Sequence, residues 1–202
     1  MFDDAFRRRL PALVAGPVRQ LARWRVSPNQ VTMGAVLLGC TAGVLVARGA
    51  AWTGLTVWLA SRLLDGIDGI LARETGQKSA FGGYLDITFD MLAYCVMLFG
   101  FWIQHPEGAW AWPAILLGYV LVTTSTLALS SILEQQRVDA GDGDRTIRFT
   151  PGLAEAGETS VAYVLFTAFP AHVTALAWVW AAMCGITVVQ RTLLARRLLG
   201  TR

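Results

Sequence analysis

The sequence predicts an all-α integral membrane protein with six transmembrane helices preceded by an N-terminal amphipathic interfacial helix. Of its 202 residues, 54% are hydrophobic and only 15% are charged, with a mean hydropathy of +0.49, which lies outside the usual range of soluble domains. Apolar segments recur at lengths near the ~20 residues that a helix needs to cross a bilayer. Lys and Arg residues cluster in alternate loops, as they do in proteins that thread a membrane repeatedly.

The chain divides into two predicted parts. Residues 1–25 are predicted to form the interfacial helix, because arginines alternate with apolar residues instead of preceding one apolar block as in a signal peptide. The alternative is a basic tail that only fixes the topology. Residues 26–202 are predicted to form one six-span domain. Its spans are expected near residues 30–48, 50–72, 83–104, 110–133, 154–169 and 173–194.

Three local patterns refine these elements. Residues 27–30, Ser-Pro-Asn-Gln, have the form of a helix start, with a serine cap, proline at the first position and glutamine at the capping-box position. Gly39 and Gly43, four residues apart, predict close helix packing. Trp110 and Trp112 fall at a predicted membrane interface and are expected to belong to an aromatic belt.

The distribution of basic residues predicts the orientation. Arg and Lys precede the first span, follow the second, lie between the fourth and fifth, and follow the sixth. The opposite loops, near residue 48 and over residues 104–109 and 169–172, are nearly free of them. We therefore expect both termini to face the cytoplasm and the protein to reside in a bacterial inner membrane. The net charge is only +3, and we expect no nucleic-acid partner.

Four aspartates stand within residues 65–90 of this apolar chain. Asp65 and Asp68 are three residues apart on one predicted helix, and Asp86 and Asp90 are four apart on the next, so each pair shares a helix face. A carboxylate at membrane depth costs about 2.5–3.5 kcal/mol on insertion scales, so the group needs compensating positive charge. All-oxygen ligands favour Mg²⁺ or Mn²⁺, and we expect two ions.

The spacing of these residues resembles the signature of the CDP-alcohol phosphotransferase (CDP-alcohol phosphatidyltransferase) family. The resemblance implies transfer of a phosphatidyl group from a CDP-alcohol, usually CDP-diacylglycerol, to a small alcohol with release of CMP. It also implies a homodimer. The pattern comprises eight residues at fixed offsets: Asp65, Asp68, Gly69, Ala72, Arg73, Gly82, Asp86 and Asp90.

The resemblance also implies the residue roles. Asp65, Asp68 and Asp86 would hold metal, while Asp90 would bind metal and act as general base. A further set is expected to bind the CDP-lipid donor: Pro28, Asn29, Gly69, Ala72, Arg73, Ser79 and Gly82. For single members of that set other roles stay open, since an arginine near a helix end commonly reaches for the membrane interface and residues 27–30 also form a good cap.

The acceptor is less well defined by the sequence. The basic pairs that hold a second phosphate in relatives with phosphorylated acceptors do not occur at the corresponding positions, and Arg137, Arg145 and Arg148 stay open as substitutes for them. Glu155 and Glu158, three residues apart at the start of the fifth span, are predicted to line the acceptor site. The alternative is that they only begin a helix, where negative charge is favourable. Arg62, one turn before Asp65, is interpreted as its ion-pair partner without a catalytic role.

Two other classes of protein are compatible with the aspartates. One is a divalent-cation transporter or channel, which requires a site near the midplane with polar routes to both faces. The other is a membrane scaffold that retains the motif without catalysis. The position of the carboxylates next to Arg73 and Lys78, on the predicted cytoplasmic side, favours the enzyme.

Overall fold

The computed structural model describes residues 14–139 and 156–200, with side chains placed for residues 14–136 and 157–200. This part of the chain contains helices and two short 3₁₀ turns, Pro106–Gly108 and Pro170–His172, and no strand. The all-α prediction is confirmed over these residues. The helices are α1 (14–23), α2 (Pro28–Ala47), α3 (Ala51–Glu74), α4 (Ala80–Gln104), α5 (Ala111–Asp139), α6 (Ala156–Ala168) and α7 (Val173–Leu199).

Four helical segments in the described ranges are long and apolar enough to cross a membrane. They are Pro28–Ala47, Ala80–Gln104, Ala111–Gln136 and Pro170–Leu199. Helix α3 has 24 residues but carries the charged motif, and α6 is described over 13 residues. The positions of the helices follow the six predicted spans closely. Four of these six spans are long and apolar enough to cross a membrane.

Two serines start the helices that border the site. Ser27 and Gln30 form the predicted capping box of α2: the Gln30 amide donates to Ser27 Oγ at 3.3 Å and the Ser27 amide donates to Gln30 Oε1 at 2.9 Å. Ser79 caps α4 by accepting a hydrogen bond of 2.9 Å from the Gly82 amide. These bonds satisfy amides that have no partner inside the helix, and so fix where each helix begins.

Helix α2 packs along both α3 and α4, at backbone contact distance from α4. A Cβ atom added to Gly43 would clash with the carbonyl group of Val96, and one added to Gly100 would clash with the carbonyl oxygen of Gly43. A Cβ atom at Gly39 would lie 2.7 Å from that of Ala93. The close packing predicted from Gly39 and Gly43 is therefore confirmed, and small residues on both helices make it possible.

The remaining helices complete the core. Helix α5 packs along α7, and α6 contacts both α3 and α7. The largest fully buried side chains of this cluster are aromatic: Trp58, Phe101, Trp112, Tyr163 and Phe166. The prediction for the two interfacial tryptophans is half wrong, because Trp110 is 80% exposed whereas Trp112 is fully buried. The Trp112 indole packs edge-on against Phe166 and donates a hydrogen bond of 2.8 Å to the His105 carbonyl oxygen.

Helix α1 packs against the segment of α3 that carries Asp68. Val14 and Val18 are buried in a small cluster with Val31, Ile67, Ile70 and Leu71. The opposite side of α1 exposes Arg19 and Arg23. The first 13 residues of the predicted interfacial helix lie outside the described residues.

Candidate active site

Helices α3 and α4 bring aspartates together from two parts of the sequence. One carboxylate oxygen each from Asp65, Asp68 and Asp86 lies within 4.8 Å of the other two. The three side chains differ in environment, since Asp68 is buried, Asp65 is half-buried and Asp86 is exposed. Asp90, one turn after Asp86, lies outside this close group.

Asp68 is held by a threonine from a third helix. The Thr32 hydroxyl on α2 donates a hydrogen bond to Asp68 Oδ2, and the two residues are only 5% and 6% exposed. Such a bond orients a carboxylate and stabilises its charge. Thr32 is not among the residues predicted from the sequence, although its spacing of three residues from Asn29 places it on the same face of α2 as a predicted donor-binding residue.

Asp90 is engaged by Arg62, which lies 28 positions earlier in the sequence. Arg62 Nη1 forms a close ion pair with Asp90 Oδ1 and lies 3.7 Å from Asp65 Oδ2. The guanidinium carbon is 4.7 Å from the ring centre of Trp58 and 5.2 Å from that of Tyr94. The interpretation of Arg62 as a partner of Asp65 is therefore incomplete, because its closer carboxylate is that of Asp90.

The aspartates face an open cavity of about 990 Å³ between α2, α3, α4 and α6. Its wall has polar groups on α2, α3, α4 and the α3–α4 connection, and apolar side chains such as Leu59 and Leu63 on α3. All four aspartates line it. So does every residue predicted to bind the donor: Pro28, Asn29, Gly69, Ala72, Arg73, Ser79 and Gly82.

The two signature glycines differ in their surroundings. A Cβ atom at Gly82 would lie 3.1 Å from Ser79 Oγ and 3.2 Å from Asn29 Oδ1, so this glycine permits a tight contact between the starts of α2 and α4. A Cβ atom at Gly69 would meet only the Arg73 guanidinium, at 3.7 Å. Gly82 therefore serves the packing of the cavity wall, whereas Gly69 leaves the α3 backbone open to the cavity.

The described structure does not test the two residues predicted to bind the acceptor. Glu155 lies outside the described residues. Glu158 is on α6 but is not among the described residues that line the cavity, whereas its neighbours Gly157 and Ser160 are. Their role at the acceptor site stays a prediction.

The chemistry of the aspartate group suits a hard divalent cation. Three carboxylates within 4.8 Å of one another offer oxygen ligands and strong negative charge, which Mg²⁺ and Mn²⁺ prefer. The three cysteines, Cys40, Cys95 and Cys184, do not belong to this group. The residues present thus fit the metal that the sequence predicts.

Comparison with known proteins identifies the family. The CDP-alcohol phosphatidyltransferase family model matches residues 25–189, most of the chain. The chain belongs to this family. The resemblance inferred from residues 65–90 is thereby confirmed, and the protein is a metal-dependent CDP-alcohol phosphatidyltransferase.

Several curated relatives cover this phosphatidyltransferase almost completely. The inner membrane protein YnjF of Escherichia coli is 33% identical over 95% of this chain and 93% of its own length. The archaetidylinositol phosphate synthase of Pyrococcus horikoshii is 31% identical over 89% and 88% of the two chains. The phosphatidylinositol phosphate synthase of Cutibacterium acnes is 30% identical over 92% and 94%.

Solved structures share the fold. The phosphatidylinositol phosphate synthase of Mycobacterium tuberculosis with CDP-DAG bound aligns with a TM-score of 0.62 at 22% identity, covering 89% of this chain and 91% of that one. The same enzyme in complex with manganese and citrate aligns with a TM-score of 0.63 at 21% identity, covering 88% and 86%.

The family assignment does not support the cation-transporter alternative, and neither does the geometry of the cavity. Its described lining residues come from the start of α2, the middle and end of α3, the α3–α4 connection, the first half of α4 and the start of α6. Within the described ranges no lining residue belongs to the connections at the opposite ends of these helices, residues 48–50 and 105–110. A translocation site requires access from both sides.

Proposed function

We propose that this phosphatidyltransferase transfers a phosphatidyl group from CDP-diacylglycerol to a small alcohol and releases CMP. The observation that carries the proposal is the convergence of the aspartates and all the predicted donor-binding residues on one cavity. The complex of the M. tuberculosis relative with CDP-DAG supports the choice of donor. Another CDP-alcohol with the same cytidine diphosphate portion would make the same polar contacts.

We propose that Asp65, Asp68 and Asp86 hold Mg²⁺ or Mn²⁺, in a site for two ions. When bound, these ions neutralise the charge of the pyrophosphate and of the departing CMP. The manganese complex of the M. tuberculosis relative supports this choice of metal. The hydrogen bond from Thr32 fixes the orientation of the Asp68 carboxylate. The lone pairs that this bond does not use are thereby held in a fixed direction for binding the metal.

Asp90 is proposed as the general base. Its carboxylate accepts the proton of the acceptor hydroxyl while the hydroxyl oxygen bonds to the phosphorus that carries the lipid alcohol. The bond from that phosphorus to the oxygen bridging to CMP then breaks, and CMP leaves with the electron pair. The position of Asp90 at the cavity wall, beside the close group of three carboxylates, suits a residue that both helps to bind metal and serves as base.

The residues proposed to contact the donor lie in the cavity wall. Arg73 presents a guanidinium, which suits phosphate oxygens because its N–H groups form a planar fork. Pro28 and Asn29 begin α2, and the positive end of the helix dipole there favours an anion. The open backbone at Gly69 and the side of Ala72 leave room for the nucleotide. Ser79 uses one lone pair for its cap and keeps its hydroxyl proton for the donor.

The acceptor is proposed to be a small polyol or its phosphate. Relatives named as inositol phosphate lipid synthases make inositol phosphate the first acceptor to test. Glu155 and Glu158 remain the residues predicted to contact the acceptor. Substituting each with Gln would raise the acceptor KM without changing donor binding, and an unchanged acceptor KM in both variants would contradict this assignment.

We propose that the protein spans the inner membrane six times, with the cavity open to the cytoplasm and α1 on the membrane surface. The basic residues near α1 and after α3 support this orientation. The exposed Arg19, Arg23 and Trp24 suit an interface that contains phospholipid headgroups. Residues 1–25 would thus form the interfacial segment and residues 26–202 the catalytic domain, assembled as a homodimer.

CMP release tests the proposed function. Purified protein in detergent is given CDP-diacylglycerol, Mn²⁺ or Mg²⁺, and one alcohol at a time: inositol phosphate, glycerol phosphate, inositol or serine. We expect release that requires one alcohol and stops when EDTA removes the metal. Absence of CMP release with every alcohol, by folded protein that also fails to bind CDP, would contradict the proposal.

A further inference from the structure

The turn that ends α1 contains an arginine in a strained backbone conformation. The Val26 amide donates to the Leu21 carbonyl oxygen at 3.1 Å, and the Arg25 amide donates to the Ala22 carbonyl oxygen at 3.1 Å. These two bonds form a Schellman motif, in which the residue at the position of Arg25 is left-handed and is usually glycine. Arg25 has a φ of 56° and is the one non-glycine residue with a positive φ in the described ranges. Its side chain is therefore kept there at a cost in free energy.

The strained turn adds a guanidinium to the exposed side of α1. Arg25 is exposed, as are Arg19 and Arg23 on the helix itself, and the Trp24 side chain is 67% exposed. Residues 14–25 contain these three arginines and no carboxylate. Within the part of the chain that the structure describes, none of the three forms an ion pair. The exposed side of α1 thus offers three positive charges to an anion.

The ligand that this surface fits is the headgroup of an anionic phospholipid in the bilayer. Arg25 lies just before Pro28–Ala47, a helix that is long and apolar enough to cross a membrane. The guanidinium groups at this end of α1 therefore lie near the depth of the lipid phosphates. At that depth arginines attract anionic lipid, and exposed tryptophan side chains are common. A dissolved phosphate ion is not concentrated there.

The buried side of α1 connects this surface to the aspartate group. Val18 is fully buried in one cluster with Val31 on α2 and Ile67 on α3. Val31 directly precedes Thr32 in the sequence, and Ile67 directly precedes Asp68. The Thr32 hydroxyl donates its hydrogen bond to Asp68 Oδ2. Helix α1 therefore packs against both of the segments that this bond joins.

We propose that the exposed side of α1 binds anionic phospholipid headgroups of the bilayer, and that α1 docked in this way supports the metal site through the Thr32–Asp68 pair. Headgroup phosphates that accept hydrogen bonds from Arg25 offset the strain of its backbone. The link to metal rests on the proposed function, which makes Asp68 a ligand. Membrane charge and metal binding would then favour the same docked position of α1.

Hydrogen exchange tests the lipid surface. Full-length protein without metal or substrate is placed in nanodiscs of phosphatidylcholine alone, or of phosphatidylcholine with phosphatidylglycerol. The exchange of the α1 amides, followed by mass spectrometry, reports how often this helix opens. Each arginine that contacts anionic headgroups should slow this exchange about fivefold in the discs that contain phosphatidylglycerol.

Arg25→Gly separates lipid binding from the stability of the turn. Glycine removes the strain, so in discs of phosphatidylcholine alone α1 of this variant should exchange no faster than in the unchanged protein. The slowing caused by phosphatidylglycerol should nevertheless be about fivefold smaller, because one charged contact is lost. Arg25→Lys keeps the charge and should keep the slowing. Arg48→Gln is the matched control, because Arg48 is exposed at the opposite end of α2.

The same measurement with Mn²⁺ tests the link to the metal site. If metal binds well only while α1 is docked, Mn²⁺ at about ten times its Kd should slow α1 exchange about tenfold in discs of phosphatidylcholine. The free-ion EPR signal gives that Kd on the same samples. Asp68→Asn should abolish the slowing. Val18→Ala should speed α1 exchange about tenfold, whereas Val44→Ala, at an exposed position on α2, should not.

Three results would overturn the proposal. One is equal α1 exchange in the two lipid compositions, and another is a slowing by phosphatidylglycerol that Arg25→Gly leaves intact. The third is α1 exchange that does not change when Mn²⁺ saturates the protein. None of these depends on catalysis, so they are distinct from a failure to bind Mn²⁺ or to release CMP, which would contradict the proposed function instead.

Discussion

Replacing Thr32 with valine removes one hydroxyl and almost nothing else from the cavity wall. The two side chains have nearly the same shape, so α2 should keep its packing against α3 and α4. What disappears is the hydrogen bond from Thr32 to Asp68 Oδ2, together with the 3.1 Å contact of the same hydroxyl with the Pro28 carbonyl oxygen. The variant therefore isolates the contribution of a residue that is not itself a proposed ligand.

The expected loss follows from the burial of the pair. Asp68 is 6% exposed, so water has little room to replace the missing donor. A hydrogen bond to a charged group contributes about 1.5–3 kcal/mol, and removing a partner that orients a metal ligand costs about 10–100-fold in metal affinity. Taking about 2 kcal/mol, we expect Mn²⁺ affinity to fall about thirtyfold.

The assay is a Mn²⁺ titration followed by the free-ion EPR signal, together with the Mn²⁺ concentration required for half-maximal CMP release. Thr32→Ser retains the hydroxyl and should retain affinity. Thr41→Val is the matched control on the same helix, because the Thr41 hydroxyl is exposed and bonds only the Leu37 carbonyl oxygen, at 2.8 Å. If Thr32→Val binds Mn²⁺ as the unchanged protein does, the assignment of Asp68 as a ligand oriented by Thr32 is wrong.

Three further outcomes are expected. Asp90→Asn should lower CMP release by about 10²–10⁴-fold while CDP binding persists, because the amide cannot take the acceptor proton; normal turnover would refute the base. Arg73→Met should raise the KM for CDP-diacylglycerol about tenfold through loss of a charged hydrogen bond to phosphate, and an unchanged KM would remove Arg73 from the donor site. Gly43→Ala should destabilise the protein by about 1–3 kcal/mol, because the added methyl group meets the Val96 carbonyl group. The loss is measured as a lower melting temperature in detergent, with Gly185→Ala as the control because the space around Gly185 is open. Equal melting temperatures for the two variants would show that α2 and α4 are less tightly packed.

The predictions from sequence succeeded for features that are determined by residues close together in the chain. Serine caps, the proline at the start of α2 and the placement of paired aspartates on one helix face depend on residues within a few positions of one another. Hydropathy located the helices for a similar reason, since a membrane-spanning segment must be apolar along its own length. Gly39 and Gly43 predicted close packing, though not the helix that would fill the space.

The predictions were incomplete for features that depend on how one helix is rotated against another. Trp110 and Trp112 are two residues apart, and only tertiary contacts distinguish them: Trp112 is buried against Phe166 on α6 and bonded to the His105 carbonyl oxygen, while Trp110 is exposed. Likewise, nothing near Gly157 and Ser160 in the sequence indicates that these two residues would line the cavity.

By itself, then, the sequence determined the helical membrane architecture, the carboxylate motif and the family, because periodicity, capping and motif spacing are short-range properties. Only the tertiary structure decided which distant side chains contact the aspartates. Thr32 reaches Asp68 across 36 positions, and Arg62 reaches Asp90 across 28. Such contacts depend on the angle and depth at which α2, α3 and α4 meet, which the packing of the whole bundle sets.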